Sequence, residues 1–175
     1  FLLIMALLKI LEFPDPKLRQ RASEVTVFDD TLKTTCEDML ETMYNAKGIG
    51  LAAIQVNILK RIVVIDLTEE KNNPLIFINP EIIKVSEGTK QHGEGCLSVP
   101  GIYENVTRPD SFIGKYQDLD GLEHKLEADG LLSVCLQHEI DHLNGRVFVD
   151  HLSRLKQEKI VRKLQKEKRR SLAEA

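Results

Sequence analysis

Two histidines and a glutamate stand at the spacing H-E-x-x-H in an apolar stretch late in the chain, at His138, Glu139 and His142. Residues four apart lie one above the other on the same face of an α-helix, so both imidazoles can bind a single metal ion. The glutamate beside them can accept and return a proton during hydrolysis. The segment from Leu131 to Leu143 is apolar on nearly all sides, which predicts a buried helix that carries a metal site.

The pattern by itself leaves the third metal ligand open. In the metzincin class of zinc peptidases a third histidine follows the second at a set distance, but this chain has Phe148 there, and phenylalanine cannot coordinate a metal. A zinc peptidase that cuts internal peptide bonds would need a ligand further downstream, for which the candidates are Glu158, Glu167 and His151. Upstream, Cys96 offers a thiolate in a glycine-flanked segment.

The composition is that of a water-soluble globular protein. The chain has 175 residues, of which 42% are hydrophobic and 29% charged, which suits one domain without a transmembrane helix. Three cysteines do not predict a disulfide framework and favour a reducing, cytoplasmic location, with Cys36 and Cys135 as packed thiols. No positive charge precedes the apolar start, so a signal peptide is not predicted. Met5 is the expected natural start, with Phe1 to Ile4 as an added remnant.

The elements that must position these residues follow from local patterns. Asp29 or Asp30 can cap a first helix that runs to about Ala46, and Ser153 can cap a last helix that is expected to fray beyond Gln165. β-rich runs predict strands over 61–67, 75–78, 81–87, 111–119 and 122–128, the last two joined by a hairpin turn at Asp120-Gly121. Residues 91–98 form a segment interrupted by glycines, with a strand expected over 94–98. This order predicts an α+β fold, with mostly antiparallel sheets around one buried central helix and helices towards both ends of a single domain over residues 1–175.

Charge is unevenly distributed along the chain. The net charge is −3, but residues 153–170 hold nine lysines and arginines against Glu158 and Glu167, a net charge of +7. The basic segment over 153–175 is either a solvated helix face or a surface for an anionic partner.

Three segments together resemble the bacterial peptide deformylases. They are GIGLAAIQ at 48–55, EGCLS at 94–98 and QHEIDH at 137–142, and their order and spacing match the family. The resemblance extends from about Leu7 to the last helix. It implies that Cys96, His138 and His142 bind the metal, with a water in the fourth position, and that the enzyme removes the formyl group from the N-formylmethionine of newly made polypeptides.

The resemblance also implies roles for individual residues. Glu139 would act as general base towards the water that attacks the formyl carbon, and then as general acid towards the leaving amine. The backbone N–H of Leu97 and the side-chain amide of Gln55 would donate to the developing oxyanion. Gly50 would keep that wall of the site low enough for the substrate backbone.

The expected metal and partners follow partly from residue chemistry and partly from the resemblance. Two imidazoles and one thiolate suit zinc by ligand type, whereas the resemblance implies Fe²⁺, with Zn²⁺, Ni²⁺ or Co²⁺ as possible substitutes. The expected partners are N-formylmethionyl nascent peptides and, through the basic last helix, ribosomal RNA. No membrane partner is expected, and the chain is expected to be a monomer. A non-catalytic ribosome-associated module is a further alternative, but it would be expected to have lost Glu139, Gln55 or a ligand.

Two further hypotheses concern the surroundings of the metal. An apolar slot for methionine is expected to be lined by Ile49, Leu131, Val134 and Cys135, the last three from the metal-facing stripe of the helix. Asp141, between the histidines, is expected to form an ion pair with Arg108 that is either structural or a plain surface pair. Some members of the family that the chain resembles carry a basic residue several positions after EGCLS. This chain has Gly-Ile-Tyr-Glu at 101–104 instead, which leaves substrate contacts in that segment undecided.

Overall fold

The computed structural model describes residues 6–175, so the expected start at Met5 and the remnant Phe1 to Ile4 lie outside the described residues. The chain forms three α-helices, seven strands and three short 3₁₀ turns in this part. The helices are α1 (Asp30–Asn45), α2 (Gly130–Leu143) and α3 (Arg154–Ala173). The strands are β1 (Gly50–Ala52), β2 (Ile62–Ile65), β3 (Leu75–Val85), β4 (Thr89–Cys96), β5 (Val99–Pro109), β6 (Phe112–Gln117) and β7 (Glu123–Ala128). The 3₁₀ turns are Pro16–Arg19, Ala53–Val56 and Phe148–His151.

Two antiparallel sheets confirm the predicted α+β class. The larger has the strand order β1-β2-β3-β6-β7, and the smaller consists of β4 and β5. Strand β2 is buried on both faces, which explains its unbroken run of Ile and Val. Its alternate residues Ile62 and Val64 belong to the apolar cluster around α1, whereas Val63 and Ile65 belong to the cluster around α2. The two helices therefore pack on opposite faces of this sheet.

Helix α1 begins and ends where the local signals predict. The Asp29 side chain accepts a hydrogen bond from the Leu32 N–H at 3.0 Å, and the helix stops at Asn45. Its buried face includes Cys36, Met39 and Met43. The packed-thiol prediction for Cys36 is confirmed, and burial raises the pKa of this thiol to about 12.

Helix α2 covers the predicted segment and starts one residue earlier, at Gly130. It packs against β1, β2 and the turn Ala53–Val56. Gly145 follows its end with φ +76°, the left-handed conformation that favours glycine, and the backbone of Arg19 occupies the space that a side chain would need. The apolar helix is thus held on several sides, which fixes the residues that point from it.

Two predicted elements were wrong in extent, and the strands β1 and β5 were not predicted. β3 is one strand rather than two, and its pairing with β6 is irregular between Ile78 and Glu81, where Pro80 has no N–H to donate. β5 was missed because its Pro and Gly residues weaken a local strand signal, although it pairs with β4 along most of its length. α3 does not fray beyond Gln165 but continues to Ala173 in residues that favour helix. None of the helices in the described part is long and apolar enough to cross a membrane.

Candidate metal centre

Cys96, His138 and His142 form a compact group of possible metal ligands. Their ligand atoms all lie within 4.8 Å of one another, and Cys96 Sγ is 3.2 Å from His142 Nε2. The two imidazoles project from one face of α2 and are buried. Cys96 ends β4, where the pairing with β5 shifts after Gly95 and the chain turns. The structure thus brings together the three residues that the resemblance indicates.

The surroundings of this group fit a cation. His138 Nδ1 donates to the Glu94 carboxylate at 2.9 Å, which leaves Nε2 of that ring with a lone pair for a metal. Burial lowers the pKa of His138, but Cys96 and Glu94 outweigh it and hold that pKa well above its usual range, so the ring favours a cation, either a proton or a metal ion that takes its place. Burial holds the pKa of His142 well below its usual range, which keeps the neutral form that metal binding requires. One thiolate and two imidazoles are a donor set for zinc or iron.

Glu139 stands between the histidines and faces the same space. It is buried, and its Oε2 has no hydrogen-bond partner among residues 6–175. Burial raises its pKa to about 7, which suits a group that must take up and release a proton near neutral pH. A Cβ on Gly50 would lie only 2.8 Å from Glu139 Oε1. A glycine at position 50 therefore gives this carboxylate its room.

Gln55 is held in one orientation beside Cys96. Its Oε1 accepts the Ala52 N–H at 2.9 Å, so its Nε2 points the other way, to Ser98 Oγ at 3.0 Å and towards Cys96 Sγ at 3.5 Å. The side chain is buried in the turn Ala53–Val56. Its amide N–H group consequently lies next to the possible metal ligands, and Leu97 lines the adjoining cavity.

A cavity of about 480 Å³ opens in front of Glu139. Its lining includes all four residues of the expected methionine slot: Ile49, Leu131, Val134 and Cys135. Burial raises the pKa of Cys135 to about 12, so this thiol presents an uncharged wall, as expected for a packed cysteine. Leu131 and Ile49 remain about half exposed at the mouth. That these residues bind methionine stays a prediction.

The first residues of β5 form another part of the rim. Gly101, Ile102 and Tyr103 line the cavity there. Tyr103 is 78% exposed, and its ring lies against Gly95, its partner across the sheet. An exposed aromatic ring thus borders the cavity at this edge.

The predicted Arg108–Asp141 ion pair is present, at 3.0 Å, and it is not a plain surface pair because Arg108 is only 3% exposed. Arg108 also binds Glu94 through two N–H groups at 2.6 and 2.9 Å. Burial would raise the pKa of Glu94, but hydrogen bonds from His138 and Arg108 outweigh it and lower the pKa to about 2. Glu94 was not assigned a role of its own from the sequence. The available signal was its position two residues before Cys96, which puts both side chains on one face of a strand.

Two of the three downstream candidates for the third ligand are engaged elsewhere, and Glu167 is exposed on α3. Phe148 is buried, and its ring stacks on His138 with centroids 6.0 Å apart. His151 bonds Asp141, and Glu158 pairs with Arg154 on the surface of α3. The only metal-binding group found among residues 6–175 is the one that uses Cys96. A peptidase site with a downstream ligand is therefore not supported.

Comparison with known proteins gives one consistent family. The chain matches the family described as polypeptide deformylase over residues 7–158. Peptide deformylase from Pseudomonas aeruginosa is 57% identical over 165 residues, which cover 94% of this chain and 98% of that protein. The relative from Zymomonas mobilis is 53% identical over 171 residues, covering 94% and 97%.

Solved structures agree over nearly the full length. The crystal structure of a peptide deformylase from Legionella pneumophila has a TM-score of 0.90 and 46% identity, and the match covers 95% of this chain and 98% of that one. Peptide deformylase from Ehrlichia chaffeensis in complex with actinonin has a TM-score of 0.90 and 40% identity, covering 94% and 99%. Both the sheets and the helix that carries the histidines thus fall within the shared region.

Proposed function

The chain belongs to the polypeptide deformylase family, and we propose how its own residues carry out the reaction. The protein is an enzyme that removes the formyl group from the N-terminal formylmethionine of newly made polypeptides and releases formate. The observation that carries the assignment of roles is the position of Glu139, between two histidines of the metal-binding group and on the wall of the cavity.

Glu139 is the proton-transfer group in this proposal. It accepts a proton from the water that attacks the formyl carbon and donates it to the amine nitrogen as the C–N bond breaks. A divalent ion held by Cys96, His138 and His142 would lower the pKa of that water towards neutrality. Burial of the carboxylate and its raised pKa support both halves of the transfer.

The formyl oxygen gains negative charge during the attack and needs fixed donors. We assign these to the Gln55 side-chain amide and the Leu97 backbone N–H. The hydrogen bond from Ala52 to Gln55 Oε1 supports this assignment, because it turns the amide N–H group towards Cys96. Donors that are already oriented lose no free energy to rearrangement as the charge develops.

Formate release from a formyl-Met tripeptide tests the role of Glu139. Glu139→Gln keeps the volume of the side chain but removes the base, so the rate should fall by about 10²- to 10⁴-fold at equal metal content. Glu158→Gln on the exposed face of α3 is the matched control and should retain full activity. Equal rates for wild type and Glu139→Gln would remove Glu139 from the mechanism. Mass analysis of the products separates loss of formate from cleavage of an internal bond.

We propose Fe²⁺ as the native ion, as the family resemblance implies, with Zn²⁺, Ni²⁺ and Co²⁺ as substitutes that the same N and S donors accept. Anaerobic purification with elemental analysis, followed by activity measured per bound metal, tests this. Iron-loaded enzyme should exceed zinc-loaded enzyme in turnover. A zinc form of equal activity would contradict the iron assignment.

We propose that Ile49, Leu131, Val134 and Cys135 hold the methionine side chain. Their uncharged side chains line the cavity next to Glu139, which supports the assignment.

We also propose that actinonin, which is bound in the Ehrlichia chaffeensis relative, binds this cavity. Competitive inhibition against a formyl-Met peptide would support that proposal, and non-competitive inhibition would contradict it.

Helix α3 is proposed to dock the enzyme on ribosomal RNA in the cytoplasm, where chains are made. All of its lysines and arginines are exposed, while Ile160 and Leu164 fix its first half to the core. Replacing the basic residues beyond Leu164 by glutamine should weaken co-sedimentation with ribosomes at low salt and leave tripeptide turnover unchanged. Unchanged co-sedimentation would reject the docking role.

A monomer is proposed because one chain supplies every residue of the site, and light scattering tests it.

A further inference from the structure

A continuous line of five polar side chains runs from the metal-binding group to the surface. Its members are His138, Glu94, Arg108, Asp141 and His151, which we call the ionic chain. The successive contacts are 2.9 Å from His138 Nδ1 to Glu94, 2.6 Å from Glu94 to Arg108 Nε, 3.0 Å from Arg108 Nη1 to Asp141 Oδ2 and 2.8 Å from Asp141 Oδ2 to His151 Nε2. The side chains of Glu94 and Arg108 are almost fully buried, whereas the His151 side chain is 23% exposed.

Arg108 is the link that transmits position along this line. Three of its nitrogens are committed, Nε and Nη2 to Glu94 and Nη1 to Asp141. The guanidinium is planar and rigid, so a displacement at the Asp141 end is passed to the Glu94 end. Glu94 in turn fixes the ring of His138 through the nitrogen that does not face the ligand group.

His151 and Arg108 share one oxygen of Asp141. Both hydrogen bonds end on Oδ2, and because a carboxylate only accepts, His151 donates through Nε2–H. The His151 backbone is well held, since it closes the turn Phe148–His151, whose Phe148 ring is buried against His138. Without His151, the partly exposed Asp141 carboxylate can rotate towards water and release Arg108.

We propose that His151 is a positioning residue of the metal centre. It touches neither the substrate cavity nor the three ligands. It fixes the position of Asp141, and Arg108 and Glu94 then transmit that position to the His138 ring. This inference rests on the proposed metal-binding role of Cys96, His138 and His142.

The affinity of the metal-free enzyme for Co²⁺, measured by competition with a chromophoric chelator, tests the proposal without using activity. His151→Ala should weaken Co²⁺ binding by about 10-fold, the lower end of the effect known for residues that orient ligands. His151→Gln restores an N–H donor and should recover most of that loss. The matched control is His124→Ala, which removes a similar His–Asp contact, 2.7 Å from His124 to Asp118, at a surface site outside the ionic chain.

The outcomes separate the two levels of inference. Equal Co²⁺ affinity in wild type and His151→Ala would overturn the role of His151. An equal loss in His124→Ala, or no recovery in His151→Gln, would overturn it too, because the effect would not come from the donated hydrogen bond. A wild type that binds no Co²⁺ would overturn the metal centre itself. Urea unfolding of each metal-free variant, measured alongside, shows that the compared proteins are folded.

Discussion

Replacement of Gly50 by alanine tests whether the room beside Glu139 is needed for the reaction. Gly50 is in β1, and its φ is outside the left-handed region, so the backbone there can accept alanine. The new Cβ would lie 2.8 Å from Glu139 Oε1 and 3.3 Å from its Cδ. Glu139 is only 4% exposed on a packed helix, so it has little space into which to retreat.

The expected magnitude follows from this crowding. Carbon–oxygen contacts are ordinary beyond about 3.4 Å, so the carboxylate must move by roughly half an ångström. Displacement of a reacting group by about 1 Å can cost about 10²-fold in rate, and we expect kcat to fall by about 10- to 100-fold. Overpacking should lower the free energy of unfolding by about 1–3 kcal/mol, which leaves the enzyme folded at 25 °C.

Steady-state formate release, with metal content and urea unfolding measured on the same samples, gives these quantities. Gly93→Ala is the matched control, because Gly93 also lines the cavity from a strand but its Cβ would meet nothing closer than Asn105 at 3.7 Å. That variant should keep wild-type kcat. A Gly50→Ala enzyme with unchanged kcat, or a Gly93→Ala enzyme with an equal loss, would refute the reasoning.

Three other substitutions test the stability of the fold at low pH, the methionine slot and the ion pairs of Arg108. Burial would raise the pKa of Asp66, but hydrogen bonds from Thr68 and Tyr44 lower it to about 2. Its stabilising contribution is therefore complete above the unfolded pKa of about 3.9 and lost as the pH falls towards 2, so Asp66→Asn should flatten the dependence of Tm on pH below 5, and an unchanged slope would contradict this. Val134→Phe should raise KM for formyl-Met peptides by about 10-fold or more by filling the cavity, and an unaltered KM would remove Val134 from the slot. Arg108→Met leaves the buried Glu94 and the partly exposed Asp141 without their cation and should cost about 3–5 kcal/mol in urea unfolding, whereas a loss well below that would show that the pairs contribute little.

Elements with strong local signals could be predicted, and those made by pairing could not. Asp29 caps α1, and the Asp120-Gly121 turn joins β6 and β7, because capping and turn geometry depend on a few adjacent residues. β5 has no comparable local signal, and its extent is set by the backbone of β4 opposite it. The break predicted near Pro80 is only an irregularity, since the pairing with β6 resumes beyond it.

The candidate site shows the same division. The spacing of His138 and His142 required only the helical repeat, whereas no local rule connects them with Cys96, which the resemblance to a known family supplied. Glu94 received no role from the sequence, and His151 only that of a possible third ligand, because their contacts with His138 and Asp141 depend on the folded chain. The predicted pair of Arg108 and Asp141 was right, but its burial, which decides its importance, is a property of the folded chain.

By itself, the sequence determined the helix that carries the two histidines, its buried character and the proposed proton-transfer residue, because each depends on residue type and short-range repeat. The tertiary structure decided the rest. Packing of α2 against β1 puts Gly50 beside Glu139, and the end of β4 puts Cys96 beside His142. The physical reason is that long-range contacts form only when the sheets and helices bury their shared apolar faces, and no short segment contains that information.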